Sequence, residues 1–148
     1  MEIKRYGAKE FLAAGKLCIR ENEIHIWCIC WPEMTDFWVN HEYILSGQES
    51  EQVGRFRFSE DRMRYIAGKV VVRLLLKRYL DVETIDFSVS ERGKPYHKKI
   101  AGKQTVDFNI SHSGEFILAG FAVGMDIGVD VQEMAGCPDY REIAGNFY

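Results

Sequence analysis

The stretch SEDRMRYIAGKVVVRLLLKRYL, residues 59–80, constrains this chain more than any other. Ser59 stands before Glu60 and Asp61, an N-cap residue followed by acids that complement the positive end of a helix. Ile66, Val70, Leu74, Leu75 and Tyr79 then recur at helical spacing and predict a buried stripe. Lys77 and Arg78 lie in the last turn, the end that favours cations. Gly68, inside the helix, costs about 1 kcal/mol against alanine. It is expected where another backbone comes close.

Around this helix the sequence predicts short strands. NEIHIWCICW (22–31) is rich in β-branched and aromatic residues, with both faces largely apolar, and reads as a strand covered on both sides. TIDFSVS (84–90) and VDFNIS (106–111) read as strands, and the nearly continuous apolar run FILAGFAV (116–123) as a central one. After a tight turn at Gly124, DIGVDVQEM (126–134) alternates like a half-buried strand, and the last three are expected to form an antiparallel meander. Gly93-Lys94-Pro95 is a turn or extended piece, because the residue before proline avoids the helical region. Residues 1–21 carry no clear pattern. Residues 32–52 read as connecting material with short helical turns, the most mobile part of the chain. Cys137-Pro138-Asp139 looks like a helix start, so a helix is expected at about 139–148.

The length, 148 residues, and a composition of 47% hydrophobic and 28% charged residues fit a single globular domain over 1–148. A net charge of −3 argues against a general nucleic-acid binder. The four cysteines, Cys18, Cys28, Cys30 and Cys137, contain no CxxC pair. Cys28 and Cys30 share one strand face and are expected in the core. The N-terminus shows no apolar signal-peptide region, and no apolar run is long enough to span a bilayer. Reduced thiols, no membrane and a cytoplasmic location are the expectation.

Three places carry chemistry. In IGVDVQE (127–133), Asp130 and Gln132 share a face while Val129 and Val131 face the core and Glu133 points away. Two oxygen donors about 7 Å apart at Cα can converge on a hard cation such as magnesium, or simply face solvent. In FNISHSGEF, the group Ser111-His112-Ser113-Gly114 reads either as a plain hairpin loop or as an anion site of hydroxyls, an imidazole and free amides. A Ser/His hydrolase is a poor fit: no GxSxG elbow occurs, and adjacent strand residues point apart. Arg64 on the helix and Lys94 in the turn suit phosphate contacts, or equally a solvated surface.

In order and rough spacing, RFRFSEDRMRYIAGKVVVRLLL, ERGKP, FNISHSGEF and IGVDVQE resemble the motifs of 4′-phosphopantetheinyl transferases of the surfactin-synthetase type. The resemblance runs from about residue 22 to the end. It implies an α+β fold that is one half of a pseudo-twofold transferase, an antiparallel sheet packed against one long helix. It implies transfer of the 4′-phosphopantetheine arm of coenzyme A to a serine of an acyl or peptidyl carrier protein, with Mg2+ and release of 3′,5′-ADP. Coenzyme A and the carrier protein are the partners so implied. By motif, Asp130 matches the first metal ligand and is the catalytic residue so implied, and Gln132 falls where many members have a glutamate. Ser111 and His112 match coenzyme A phosphate contacts, with His112 near the 3′-phosphate. Lys94 and Pro95 match the coenzyme-binding GKP segment, and Arg64 a helix arginine that reaches the nucleotide.

This chain departs from the pattern in two ways. Gln132 is neutral, so weaker metal binding is expected. The W-x-x-K-E motif that carries a further acid in the family's second half is absent from the 148 residues. The expectation is therefore a fragment or truncated product holding the N-terminal half, weakly active or inactive alone. The alternative is a non-catalytic, degenerate half-domain that binds coenzyme A or a carrier protein.

Overall fold

The computed structural model describes residues 1–134. Cys137 and the helix expected at about 139–148 lie outside the described residues. Six strands and four helices of more than one turn are formed: β1 Glu2–Tyr6, α1 Ala8–Ala13, β2 Glu23–Cys30, α2 Thr35–His41, α3 Gly47–Arg55, α4 Ser59–Leu80, β3 Phe87–Val89, β4 Pro95–His97, β5 Val106–Ser113 and β6 Phe116–Val123. Single 3-10 turns at Trp31–Met34 and Glu42–Ile44 flank α2.

The long helix is where the sequence puts it. Its N-cap is Phe58 and Ser59 is the first helical residue, so the expected serine cap is not made. The helix stops at Asp81, which takes a left-handed conformation (φ 53°) and donates its N–H to Lys77 O. Ile66, Val70, Leu75 and Tyr79 are buried as predicted, and Leu74 is half-buried. Ala67, Val71, Val72, Leu76 and Leu80 are buried as well. The extra burial follows from position: α4 has β5 and β6 on one side and α2 and α3 on the other. A Cβ on Gly68 would stand 3.5 Å from Ile110 Cδ1, an ordinary contact. A side chain, not a second backbone, is what approaches there.

The fold class is α+β, and its main sheet is mixed, in the order β1-β2-β6-β5. The β2-β6-β5 part is antiparallel, as expected, with β6 inside it. β1 adds a parallel edge, which the unpatterned residues 1–21 did not announce. β3 and β4 form a separate two-stranded hairpin around Gly93 (φ 82°). Residues 32–52, read as connecting material, instead contain α2 and most of α3, with Trp38 fully buried and its Nε1 donating to Trp31 O at 2.9 Å.

β2 alternates strictly. Glu23, His25, Trp27 and Ile29 are buried toward α4, where Tyr79 Oη accepts from Trp27 Nε1 (2.9 Å) and meets His25 Nδ1 (2.8 Å). On the other face Cys28 is exposed and Cys30 half-buried, so the expectation that both are core is overturned. They do share a face, but no helix covers it among the described residues.

Candidate functional site on the two faces of an edge strand

β5 ends the sheet, and its alternation sorts the chemistry. Phe108, Ile110 and His112 face α4, while Asp107, Asn109, Ser111 and Ser113 face the other way. The strand runs through Ser113 and pairs it with Phe116, leaving a two-residue turn at Gly114-Glu115. Gly114 has φ 55°, as the first central position of a type II′ hairpin requires. The SHS group is thus strand, not loop. Ser111 and His112 are not brought together; they lie on opposite faces.

On the α4 face a groove of about 1140 Å3 opens between α4, the β3–β4 hairpin and the α3 region. Arg64, Lys69, Pro95, Ile110 and His112 are among its walls. Arg64 is held firmly. Its Nε donates to Gly114 O (3.0 Å), its Nη1 to Asp61 Oδ1 (2.9 Å), and its guanidinium lies 5.6 Å from the Trp31 ring centre. Trp31 Nε1 donates to the same Gly114 carbonyl at 2.9 Å. His112 is exposed, yet partial burial and the adjacent Arg64 charge hold its pKa below the usual imidazole value. Lys69 lies over the Tyr65 ring, and Arg73 is neutralised by Glu49 at 2.9 Å. The helix thereby presents anion-attracting groups to a concave, partly apolar surface.

On the opposite face lies the segment expected to be a strand. Residues 127–133 are extended but take no backbone ladder. Their alternate amides donate to β5 side chains: Ile127 N to Asp107 Oδ2 (2.6 Å), Val129 N to Asn109 Oδ1 (2.9 Å), Val131 N to Ser111 Oγ (3.2 Å) and Glu133 N to Ser113 Oγ (2.9 Å). The offset is 20 residues at every rung, so the segment runs parallel to β5 and over its face. This corrects the antiparallel meander expected for it. Lys94 secures its start, with Nζ 2.9 Å from Asp107 Oδ2 and 3.0 Å from Ile127 O. Pro95 thus faces the groove while Lys94 braces this second face.

Fixing a residue costs about 1–2 kcal/mol and a neutral hydrogen bond returns about 1. With one rung for every two residues, the ladder alone cannot hold the segment. Packing supplies the remainder. Ile127 is buried, and a Cβ built on Gly120 would fall 2.6 Å from Val129 Cγ1 and 2.8 Å from Ile127 Cδ1. Glycine at 120 is what lets these side chains seat on the sheet.

Asp130 and Gln132 then project outward together, both exposed. Asp130 Oδ1 accepts from Ser111 Oγ (3.2 Å), and Gln132 Nε2 reaches Asp130 Oδ1 and Oδ2 at 3.2 and 3.3 Å. One carboxylate and one amide fit a hard cation that takes most of its ligands from water and phosphate. Among the described residues no group of three His, Cys, Asp or Glu side chains could hold a metal ion. None of the helices there is long and apolar enough to cross a membrane.

Arg64 and His112 thus stand on one side of an edge strand, and Asp130 and Gln132 on the other. Residues 30–122 match the family described as 4′-phosphopantetheinyl transferase, N-terminal, and the chain belongs to that family. Among its relatives, the 4′-phosphopantetheinyl transferase HetI of a Nostoc species is 29% identical over 134 residues, 89% of this chain and 56% of that protein. The 4′-phosphopantetheinyl transferase Sfp of Bacillus subtilis is 36% identical over 106 residues, covering 70% and 45% respectively. The L-aminoadipate-semialdehyde dehydrogenase-phosphopantetheinyl transferase of Rattus norvegicus is 25% identical over 114 residues, covering 72% and 36%. The chain thus spans about half the length of the curated relatives it matches.

Sequence pattern did not reveal Asp107, Asn109 and Ser113 as ladder rungs, Trp31 beneath Arg64, or Lys69 at the groove. The signal for the rungs was present: Asp-x-Asn-x-Ser-x-Ser over 107–113 puts a short acceptor at every second position.

Proposed function

We propose that this chain binds coenzyme A and takes part in moving its 4′-phosphopantetheine arm to a serine of an acyl or peptidyl carrier protein. The observation that carries the reading is the meeting of Arg64 and His112 on one groove wall in a chain of this family. Arg64 and His112 bind the nucleotide phosphate, Pro95 lines the groove, and Lys94 orients the 127–133 segment by its bonds to Asp107 and Ile127. Ser111 contributes through Asp130, since its hydroxyl is already bonded there and to Val131 N.

Asp130 is the catalytic residue of this reading: with Gln132 its carboxylate would hold Mg2+. The ion supplies charge neutralisation at the pyrophosphate. Its remaining ligands would come from phosphate and water. A ligand that reaches both patches wraps the free edge of β5.

That the described residues bring one carboxylate to the site, and no group of three metal-ligating side chains, favours a second reading, a coenzyme A-binding module without turnover. Calorimetric titration of the chain with coenzyme A, with and without Mg2+, tests the first step. Binding is expected, with His112→Ala weakening it about tenfold. Asp130→Ala should remove only the magnesium-dependent part. No binding heat and an unchanged melting temperature with coenzyme A would overturn the reading. Transfer of a labelled arm to an apo carrier protein then separates transferase from module.

A further inference from the structure

The four rungs of β5 are an unusual way to seat a segment. A backbone ladder would have been indifferent to side-chain identity. This one exists only because positions 107, 109, 111 and 113 each carry a short acceptor. Asn109 is the rung that neither the groove nor the carboxylate patch accounts for. Its Oδ1 accepts the Val129 amide at 2.9 Å, on the residue immediately before Asp130. At the next rung Val131 N donates to Ser111 Oγ, so the two residues flanking Asp130 are both tied to β5. The Asp130 carboxylate is aimed outward by its neighbours' amides, with Ser111 Oγ steadying one oxygen.

We propose that Asn109 is a positioning residue for the cation site: it holds the Val129–Val131 backbone so that Asp130 and Gln132 stand preformed as a pair. The proposal rests on the reading that Asp130 holds the cation. Partners one step removed from a metal fix the orientation of its ligands, and losing one costs about 10- to 100-fold in affinity. The side chain of Asn109 is half-buried on the face away from α4, so its removal spares the apolar core between α4 and the sheet.

The test uses the 15N-labelled chain, with Mn2+ as probe. Substoichiometric Mn2+ broadens amide resonances near its site and reports weak binding directly. In the wild type, broadening is expected at residues 129–133 and is lost in Asp130→Ala. Asn109→Leu should speed exchange of the Val129 amide and raise the Mn2+ concentration needed for half-broadening about tenfold. Asn109→Ala, a second acceptor-free variant, should do the same. Asn109→Ser restores the kind of acceptor that rungs 111 and 113 already use, and should recover much of both effects. Faster Val129 exchange with wild-type Mn2+ response in the acceptor-free variants would overturn the positioning role while leaving Asp130 as ligand. Equal broadening in wild type and Asp130→Ala, or none in either, would overturn the metal reading and this proposal with it.

Discussion

His112 shows what one position along a strand decides. It follows Ser111 directly, yet β5 turns it to Arg64 and the groove while Ser111 turns to Asp130. The residue types were legible as chemistry. That the two point apart was legible from the period-two rule; which partner each would meet was not, because those partners lie on other elements. Partial burial and the Arg64 charge favour the neutral imidazole, and a phosphate in the groove would favour the charged one. His112 is therefore expected to titrate below 6.5 in the free chain and to shift upward when coenzyme A is added. Ring proton shifts followed against pH measure both midpoints. A midpoint that coenzyme A leaves in place would remove His112 from phosphate contact.

Among the elements, α4 and β6 were legible because each is long and apolar enough for its pattern to speak alone. The segment 127–133 was half legible. Alternation correctly places Asp130 and Gln132 outward and Ile127 inward, since it reports which side chains are buried. It is silent on where the backbone amides go, and here they go to side chains. The helices beginning within 32–52 were legible only as short helical turns; the Ser46 and Glu49 capping box that opens α3 was the local signal overlooked. Trp38 and Val53 become core only through tertiary packing.

Gly120 gives this element a sharp test. Gly120→Ala drives a methyl toward Val129 and Ile127, and overpacking of this sort costs about 1–3 kcal/mol. The expected outcome is displacement of 127–133 with the α4 core intact. Hydrogen exchange should rise across 127–133 and stay low in α4. Unchanged exchange at 127–133 would show that the segment tolerates the methyl.

At the scale of the whole molecule, a polar line runs from Lys4 at the surface through Glu23 and His25 to Tyr79 and Trp27, across β1, β2 and α4. Burial holds the His25 pKa below 6.5 and outweighs the opposing pull of Glu23. The folded chain thus binds that proton more weakly than the unfolded chain. Stability from the neutral ring is complete well above pH 6.5 and declines as pH falls through that value toward the folded pKa. Glu23 has its pKa lowered from 4.5 to about 2 by the Arg20 amide and Lys4, so its contribution is kept above 4.5 and lost below it. Urea unfolding against pH should show a first decline beginning near 6.5 and a second below 4.5. His25→Gln is expected to make the first decline shallower, His112 supplying what remains. Identical slopes would show that His25 does not set it. None of this line was readable beforehand, since it joins residues 75 positions apart that only folding brings together.

A backbone ladder is the same whatever the codons say, but the ladder under Asp130 is written in them. Single-nucleotide changes at 107, 109, 111 or 113 can add or erase a rung while leaving the carboxylate itself untouched. Selection could therefore tune how tightly the carboxylate is presented one increment at a time, without ever mutating the residue that does the binding.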